Sequence, residues 1–295
     1  MNEAENEPRS GDIEPEAQPP RPRPFRVNSF GLTDKGRIRL CNEDHFAIVE
    51  LARTLSIHGT SIRQAQAQYS SHRGHVFIVA DGLGGHLAGE VASAATVLNV
   101  EGFLLNILTR FFNLKGDQEQ EVLTEFQDAL LQADARLFED ANRHPELLGM
   151  GTTLTMAFAT EWRLFIAHVG DSRCYVFSNG QLHQVTQDHT VHAEMIRHGA
   201  PQTLFSQYNR SVLANALGGD ERGVDVELHR LDLQLDDMIL LCSDGLSNMV
   251  SDERIAIALG EEREPQRICE RLLREANDNG GVDNITVMVA GFTTI

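Results

Sequence analysis

Apolar residues recur along this chain with two different spacings. Residues 76–80 (VFIVA) form a continuous apolar run rich in β-branched side chains, the pattern of a buried strand, and residues 45–51 (HFAIVEL) read the same way. The spacing then changes to three and four. Val91, Ala94, Ala95 and Leu98 share one helical face and open a helix predicted to run toward Phe112. Val122, Phe126, Leu130, Ala133, Leu137 and Ala141 predict a second long helix. Strand-like runs return at 153–160, 163–170, 174–177 and 182–185, the last two joined by SNG, in which Asn179-Gly180 is a hairpin signal. Residues 238–243 (MILLCS) and 284–292 (NITVMVAGF) are later strands, and helices are predicted at 191–198, 253–259 and 266–277. Strand runs interrupted by paired helices, with no βαβ alternation, predict an α+β fold with antiparallel sheets.

Composition narrows the class. A hydrophobic fraction of 41% in 295 residues can build a sizeable core. No stretch approaches the ~20 apolar residues needed to span a bilayer, and the acidic, polar N-terminus does not resemble a signal peptide. The four cysteines are scattered, with no CxxC pair, which predicts buried, reduced thiols in a cytoplasmic protein. A net charge of -18 argues against a nucleic-acid backbone or an anionic membrane surface as partner. Residues 1–25, rich in Glu and Pro, read as a disordered tail, and 26–295 as one folded domain without linker or repeat.

The candidate chemistry lies at strand ends. The run 76–80 passes directly into Asp81 and a turn holding Gly82, Gly84, Gly85 and Gly89. MILLCSDG repeats that grammar with Asp244 and Gly245, and Asp283 stands just before the strand NITVMVAGF. Each Asp alone is an ordinary turn residue. Antiparallel pairing can bring all three to one sheet edge, where a cation would compensate their mutual repulsion. Oxygen-only donors favour Mg²⁺ or Mn²⁺, and no HExxH or Cys/His cluster offers a zinc site. A P-loop is excluded because GLGGHLAG lacks the Lys-Ser/Thr pair, and a Rossmann motif because the glycine spacing is wrong. In GRIRLCNEDHF, Arg39 could fork onto a phosphate, and Glu43 and Asp44 could hold metal-bound waters.

These motifs resemble, in order, those of the bacterial-type PP2C (PPM) family of metal-dependent Ser/Thr protein phosphatases. The matching blocks are GRIRLCNEDHF (36–46), VFIVADGLGGHLAGEVAS (76–93), GMGTTLTMAF (149–158), AHVGDSRCYVFSNGQLHQVTQDHT (167–190), NALGG (215–219), LLCSDGLSNMVSDE (240–253) and DNGGVDNITVMVA (278–290). The resemblance implies an αββα sandwich of two antiparallel sheets with helices outside. It implies that Asp81 bridges two Mn²⁺ or Mg²⁺ ions, with the Gly82 carbonyl on one and Asp244 and Asp283 on the other. Glu43 and Asp44 then act chiefly through waters, Arg39 receives the phosphate, and Asp171 supports a third, weaker ion. The implied partners are phosphorylated proteins, including a Ser/Thr kinase or its targets, acted on by a monomer.

The alternatives are a non-catalytic interaction or sensor module, which would lose its metal acids, and a hydrolase of small phosphate esters. No Cys-x5-Arg loop supports a thiolate mechanism. Residues 151–153 (GTT) read as a strand start. Two features depart from the family pattern. Leu83 stands where many eukaryotic members place a His, which leaves the leaving-group proton unassigned, with His86 nearby. The segment 53–74 is long for its place and is read as a loop or short helix, while 187–219 corresponds to the variable flap beside the active site.

Overall fold

The computed structural model describes residues 25–56, 67–84, 87–107, 118–199, 211–219 and 223–294. The chain opens with β1 (Phe25–Asp34), β2 (Asp44–Ser56) and β3 (Ala67–Leu83), followed by α1 (Leu87–Ile107) and α2 (Gln118–Arg143). Then come β4 (Gly151–Thr152), β5 (Leu154–Thr160), β6 (Arg163–Val169), β7 (Arg173–Ser178), β8 (Gln181–Gln184) and α3 (Val191–Arg197). The last third holds β9 (Leu217–Gly218), β10 (Glu227–Asp232), β11 (Met238–Cys242), α4 (Asp244–Ser247), α5 (Asp252–Glu261), α6 (Pro265–Asp278) and β12 (Ile285–Thr294).

One sheet has the order β1-β12-β11-β7-β8 and the other β10-β6-β5-β3-β4-β9, with β2 added on β3. All recorded strand pairs are antiparallel. Three apolar layers fill the molecule. Phe77, Val79, Ile166, Leu241, Met288 and Phe292 pack between the two sheets. α1 and α2 cover the outer face of the larger sheet through Val100, Leu104, Phe126 and Leu137, and α5 and α6 cover the smaller one through Leu259, Ile268 and Leu272. This is the expected four-layer αββα sandwich. Each sheet is apolar on both faces at its centre, so β5 reads as an unbroken buried run rather than an alternating one.

Several expectations change. The described parts of the segment 53–74 are strand, where a loop or short helix is expected. β2 and β3 continue through it as a hairpin as far as Ser56 and Ala67, with a register shift at Ala52/Thr54, and 57–66 fall outside the described residues. Residues 108–112 of the first predicted helix, and the first 24 residues, also fall outside, and Phe25 already pairs with Thr294. The Asn179-Gly180 turn has φ of 52° and 79°, the two left-handed residues that a tight hairpin turn matching strand twist requires. Among the described residues no helix is long and apolar enough to cross a membrane. Cys174, Cys242 and Cys269 are buried and Cys41 is half-buried, with no disulfide recorded.

Candidate active site

The acids meet at one end of the sandwich, but they do not share a sheet edge. Asp81 and Asp44 belong to the larger sheet, where they are directly opposed partners on β3 and β2. Asp244, at the start of α4, and Asp283, just before β12, belong to the smaller sheet, whose β11 and β12 are neighbours. Asp171 follows β6. The cleft is therefore a seam between the two layers. It encloses about 270 Å³ and is lined by Arg39, Glu43, Asp81, Gly82, Asp171, Asp244 and Asp283, with Leu83, Ser211 and Leu213 also on its wall.

The glycines have a steric cause. A Cβ on Gly82 would overlap the Gly89 carbonyl of α1, and one on Gly245 would overlap the Asn284 carbonyl. Both Asp-Gly turns thus lie against backbone, which only glycine permits. Gly82 N–H also donates to Glu43 O at 3.2 Å, and Ser93 Oγ on α1 donates to the same oxygen at 2.6 Å. Glu43 is placed by these bonds and by its own N–H, which donates to Asn284 Oδ1 at 2.8 Å. Asn284 further donates from Nδ2 to Lys35 O and Cys41 O at 3.0 and 2.9 Å, holding the loop that carries Arg39.

Asp44 reaches across the seam. Its Oδ2 lies 2.7 Å from both Ser243 Oγ and Thr286 Oγ1 on the smaller sheet, while its Oδ1 is buried without a partner. Asp244 Oδ1 is likewise buried and unpartnered, and its Oδ2 accepts from Asn248 Nδ2 at 3.1 Å. Burial, then the charge of neighbouring acids, pushes Asp81 and Asp244 well above the usual carboxylate range. Burial raises Asp44 and Asp171 to about 6. Arg39 is half-exposed and donates from Nη2 to Asp283 Oδ2 at 2.6 Å.

Five carboxylates against one arginine line this cleft among the described residues, and two buried oxygens, one from each sheet, lack any donor. A polar group buried without a partner is costly, and an all-oxygen donor set is the chemistry of hard divalent cations. The residues therefore fit the expected metal ions.

Sequence reasoning missed the hydroxyls that set this geometry. Thr152 Oγ1 donates to Asp81 O at 2.8 Å, Asp81 N–H donates to Thr153 Oγ1 at 3.0 Å, and Ser243 and Thr286 hold Asp44. Their one sequence signal is adjacency to acids or to strand starts. His86 lies outside the described residues, and Leu83 offers no proton.

The flap is tied down at its root. His189 N–H donates to Gly170 O at 2.7 Å, Gly170 N–H donates back to His189 Nδ1 at 3.2 Å, and Asn215 Nδ2 lies 3.0 Å from the same nitrogen. Ala214 N–H donates to His189 O and Val191 N–H to Val212 O, at 2.9 and 2.8 Å. His168, His189 and Glu227 bring possible metal-binding atoms within 4.8 Å of one another. They are already satisfied, however. His168 lies 2.9 Å from Thr155 Oγ1 and 3.0 Å from Gln187 O, and Glu227 bonds His229, Gln187 N–H and His189. Burial holds His168 down at about 4. Burial opposes ionisation of Glu227, but hydrogen bonds from His189 and His229 hold it well below the usual carboxylate range. The cluster is a hydrogen-bond network joining the flap root to the larger sheet.

Comparison with known proteins agrees with the cleft. The family model for protein phosphatase 2C matches residues 56–280. The serine/threonine phosphatase stp of Listeria innocua is 31% identical over 259 residues, 87% of this chain and 92% of that relative. PstP of Mycobacterium tuberculosis is 33% identical over 261 residues, 88% of this chain and 43% of that protein. The crystal structure of PstP/Ppp from Mycobacterium tuberculosis superposes with a TM-score of 0.70 at 31% identity, covering 90% of this chain and 98% of that one. The PstP catalytic domain in complex with two manganese ions gives 0.69 at 30% identity, covering 91% and 99%. The family match runs from the end of β2 to just past α6 and takes in Asp81, Asp171 and Asp244, and on that evidence the chain belongs to the protein phosphatase 2C family.

Proposed function

We propose that this chain removes phosphate from phosphoserine and phosphothreonine in proteins, using divalent cations held in the acid cleft. Membership of the family makes it a protein phosphatase, a phosphoric monoester hydrolase dependent on divalent metal. The observation that carries the site assignment is the pair of buried, unpartnered carboxylate oxygens, Asp244 Oδ1 on the wall of the five-acid cleft and Asp44 Oδ1 on the strand residue directly opposite Asp81.

In this reading Asp81, the Gly82 carbonyl, Asp244 and Asp283 would hold two ions, either Mn²⁺ or Mg²⁺. Asp44 and Glu43 support them through water, and Asp171 would hold a third. When bound, such ions acidify a water for in-line attack and offset charge on the phosphoryl oxygens. Arg39 presents its guanidinium to the phosphate from the cleft rim and already forms an ion pair with Asp283. Ser211 and Leu213 place the flap on the cleft wall, where a substrate backbone would pass. Action as a monomer is the state we assign. Phosphorylated proteins are the substrates, and a Ser/Thr kinase or that kinase's targets are the class we assign.

The test is turnover of a phosphothreonine peptide and of a small phosphate ester by chelator-treated protein. Activity returning with Mn²⁺ or Mg²⁺, absent in Asp81→Asn and Asp244→Asn, is expected, with the peptide preferred in kcat/KM. Full activity in metal-stripped enzyme would overturn the mechanism. A preference for the small ester would overturn the substrate class.

A further inference from the structure

Thr153 stands where three elements meet. It precedes β5, the strand between β3 and β6, and those two strands lead to Asp81 and Asp171. Asp81 N–H donates to Thr153 Oγ1 at 3.0 Å, and Thr153 N–H donates to Asp81 O at 2.9 Å. Thr153 Oγ1 also lies 2.8 Å from Ser172 Oγ. The Thr oxygen accepts from Asp81, so its own proton is available to Ser172. Both hydroxyl residues are fully buried, so water cannot replace either bond. On its other side Thr153 packs on Gly170, which holds a left-handed φ of +110° and where an added Cβ would stand 2.6 Å from Thr153 Cγ2. One side chain thus touches the backbone of Asp81 and both sequence neighbours of Asp171. A strand start, the plain reading of residues 151–153, makes no use of that hydroxyl.

We propose that Thr153 is a positioning residue of the metal cleft, whose hydroxyl fixes the spacing between the Asp81 and Asp171 carboxylates. It touches neither substrate nor ion. The proposal rests on reading those two acids as metal donors. Thr153→Val keeps the side-chain size, removes both bonds and leaves the Asp81 N–H buried without an acceptor. Thr153→Ser keeps the oxygen and loses only the methyl group against Gly170.

The experiment is Mn²⁺ binding to the chelator-treated full chain, followed by electron paramagnetic resonance of free Mn²⁺, with thermal denaturation in chelator run beside it. Thr153→Val should bind Mn²⁺ at least tenfold more weakly, about 1.4 kcal/mol, and Thr153→Ser should stay within about threefold of the parent chain even if its melting temperature falls. A purely structural Thr153 would give lower melting temperatures with unchanged Mn²⁺ affinity. A folded Thr153→Val that binds Mn²⁺ like the parent overturns the proposal. If that variant does not fold, Ser172→Ala tests the spacing from the other end. The expected result is weakened binding confined to the ions that Asp171→Asn also loses, and parental binding there overturns the proposal. Asp81→Asn and Asp171→Asn separate the two levels of the argument. If neither alters Mn²⁺ binding, the donor assignment fails and the positioning role fails with it. If both do and Thr153→Val does not, only the positioning role fails.

Discussion

Replacing Asp44 by Asn should make the metal-free protein more stable. Asp44 is buried, with two hydroxyls on Oδ2 and nothing on Oδ1. Burial, reinforced by the charge of Asp283, raises its carboxyl to about 6 even though both hydroxyls favour the ionised form. An unfolded aspartate titrates near 3.9, so the difference corresponds to about 3 kcal/mol at 1.36 kcal/mol per pH unit. The sign follows from which state holds the proton more tightly. The folded carboxyl does, so its stabilising contribution is complete below about pH 4 and is lost as pH rises through about 6. An Asn side chain keeps an oxygen for the two hydroxyls and never ionises. In chelator, Asp44→Asn should match the parent near pH 4 and exceed it by up to about 3 kcal/mol at pH 7.5. The assay is urea unfolding at pH 4, 5, 6 and 7.5, with equal slopes required for the comparison. Added Mn²⁺ should narrow or reverse the gap, because binding to the folded state stabilises the chain that binds more tightly. An Asn variant no more stable than the parent at pH 7.5 in chelator, or a gap that persists at pH 4, would refute the reasoning.

Three further outcomes are expected. Arg39→Ala should raise KM for a phosphopeptide with a smaller loss in kcat, and an unchanged KM would remove Arg39 from phosphate capture. Asp134 on α2 accepts from Gly218 N–H and Gly223 N–H at 2.8 and 3.1 Å. Asp134→Ala should cost about 2 kcal/mol of folding stability, measured in urea, while Mn²⁺ affinity in the folded protein stays the same. The first 24 residues hold six acids, three arginines and no expected metal donor. Removing them should leave kcat/KM on a short phosphopeptide within about twofold, and a tenfold drop with unchanged circular dichroism would show that the tail reaches the cleft.

The sequence made strongly periodic elements legible, and its gaps have physical causes. α2, β5, β6 and β11 are written in unbroken 3.6-residue or continuous apolar patterns, and each appears close to its predicted span. β1 and β10 give no such signal because each is half-exposed and pairs on one side only, and β10 (ELHRLD) is mostly charged and polar. In β1, Gly31 breaks the alternation because the Phe46 ring packs directly on it. The acids were visible as Asp-Gly and Asp-Asn at strand ends, but their partition between two sheets was not. Nothing in the runs around Asp81 and Asp244 says that β3 and β11 lie in different layers, since that depends on the order in which distant strands pair. Thr153, Ser243 and Thr286 are ordinary residues at strand ends, and only the fold brings Ser243 and Thr286 to the Asp44 carboxylate and Thr153 to the Asp81 backbone and Ser172.

The tied root of the flap bears on how enzymes of this design diversify. His189 and Ala214 are bonded to each other, Thr190 bridges Leu213, and the pair is fastened to Gly170. The ends of the intervening segment are thus held together by the scaffold whatever lies between them. For a loop whose closure is already secured, doubling the length costs only about 0.6 kcal/mol. Changes of length or side chain between these ties are therefore expected to leave the described carboxylates of the cleft in place. Substrate choice and phosphate chemistry can then evolve at different rates in one small domain.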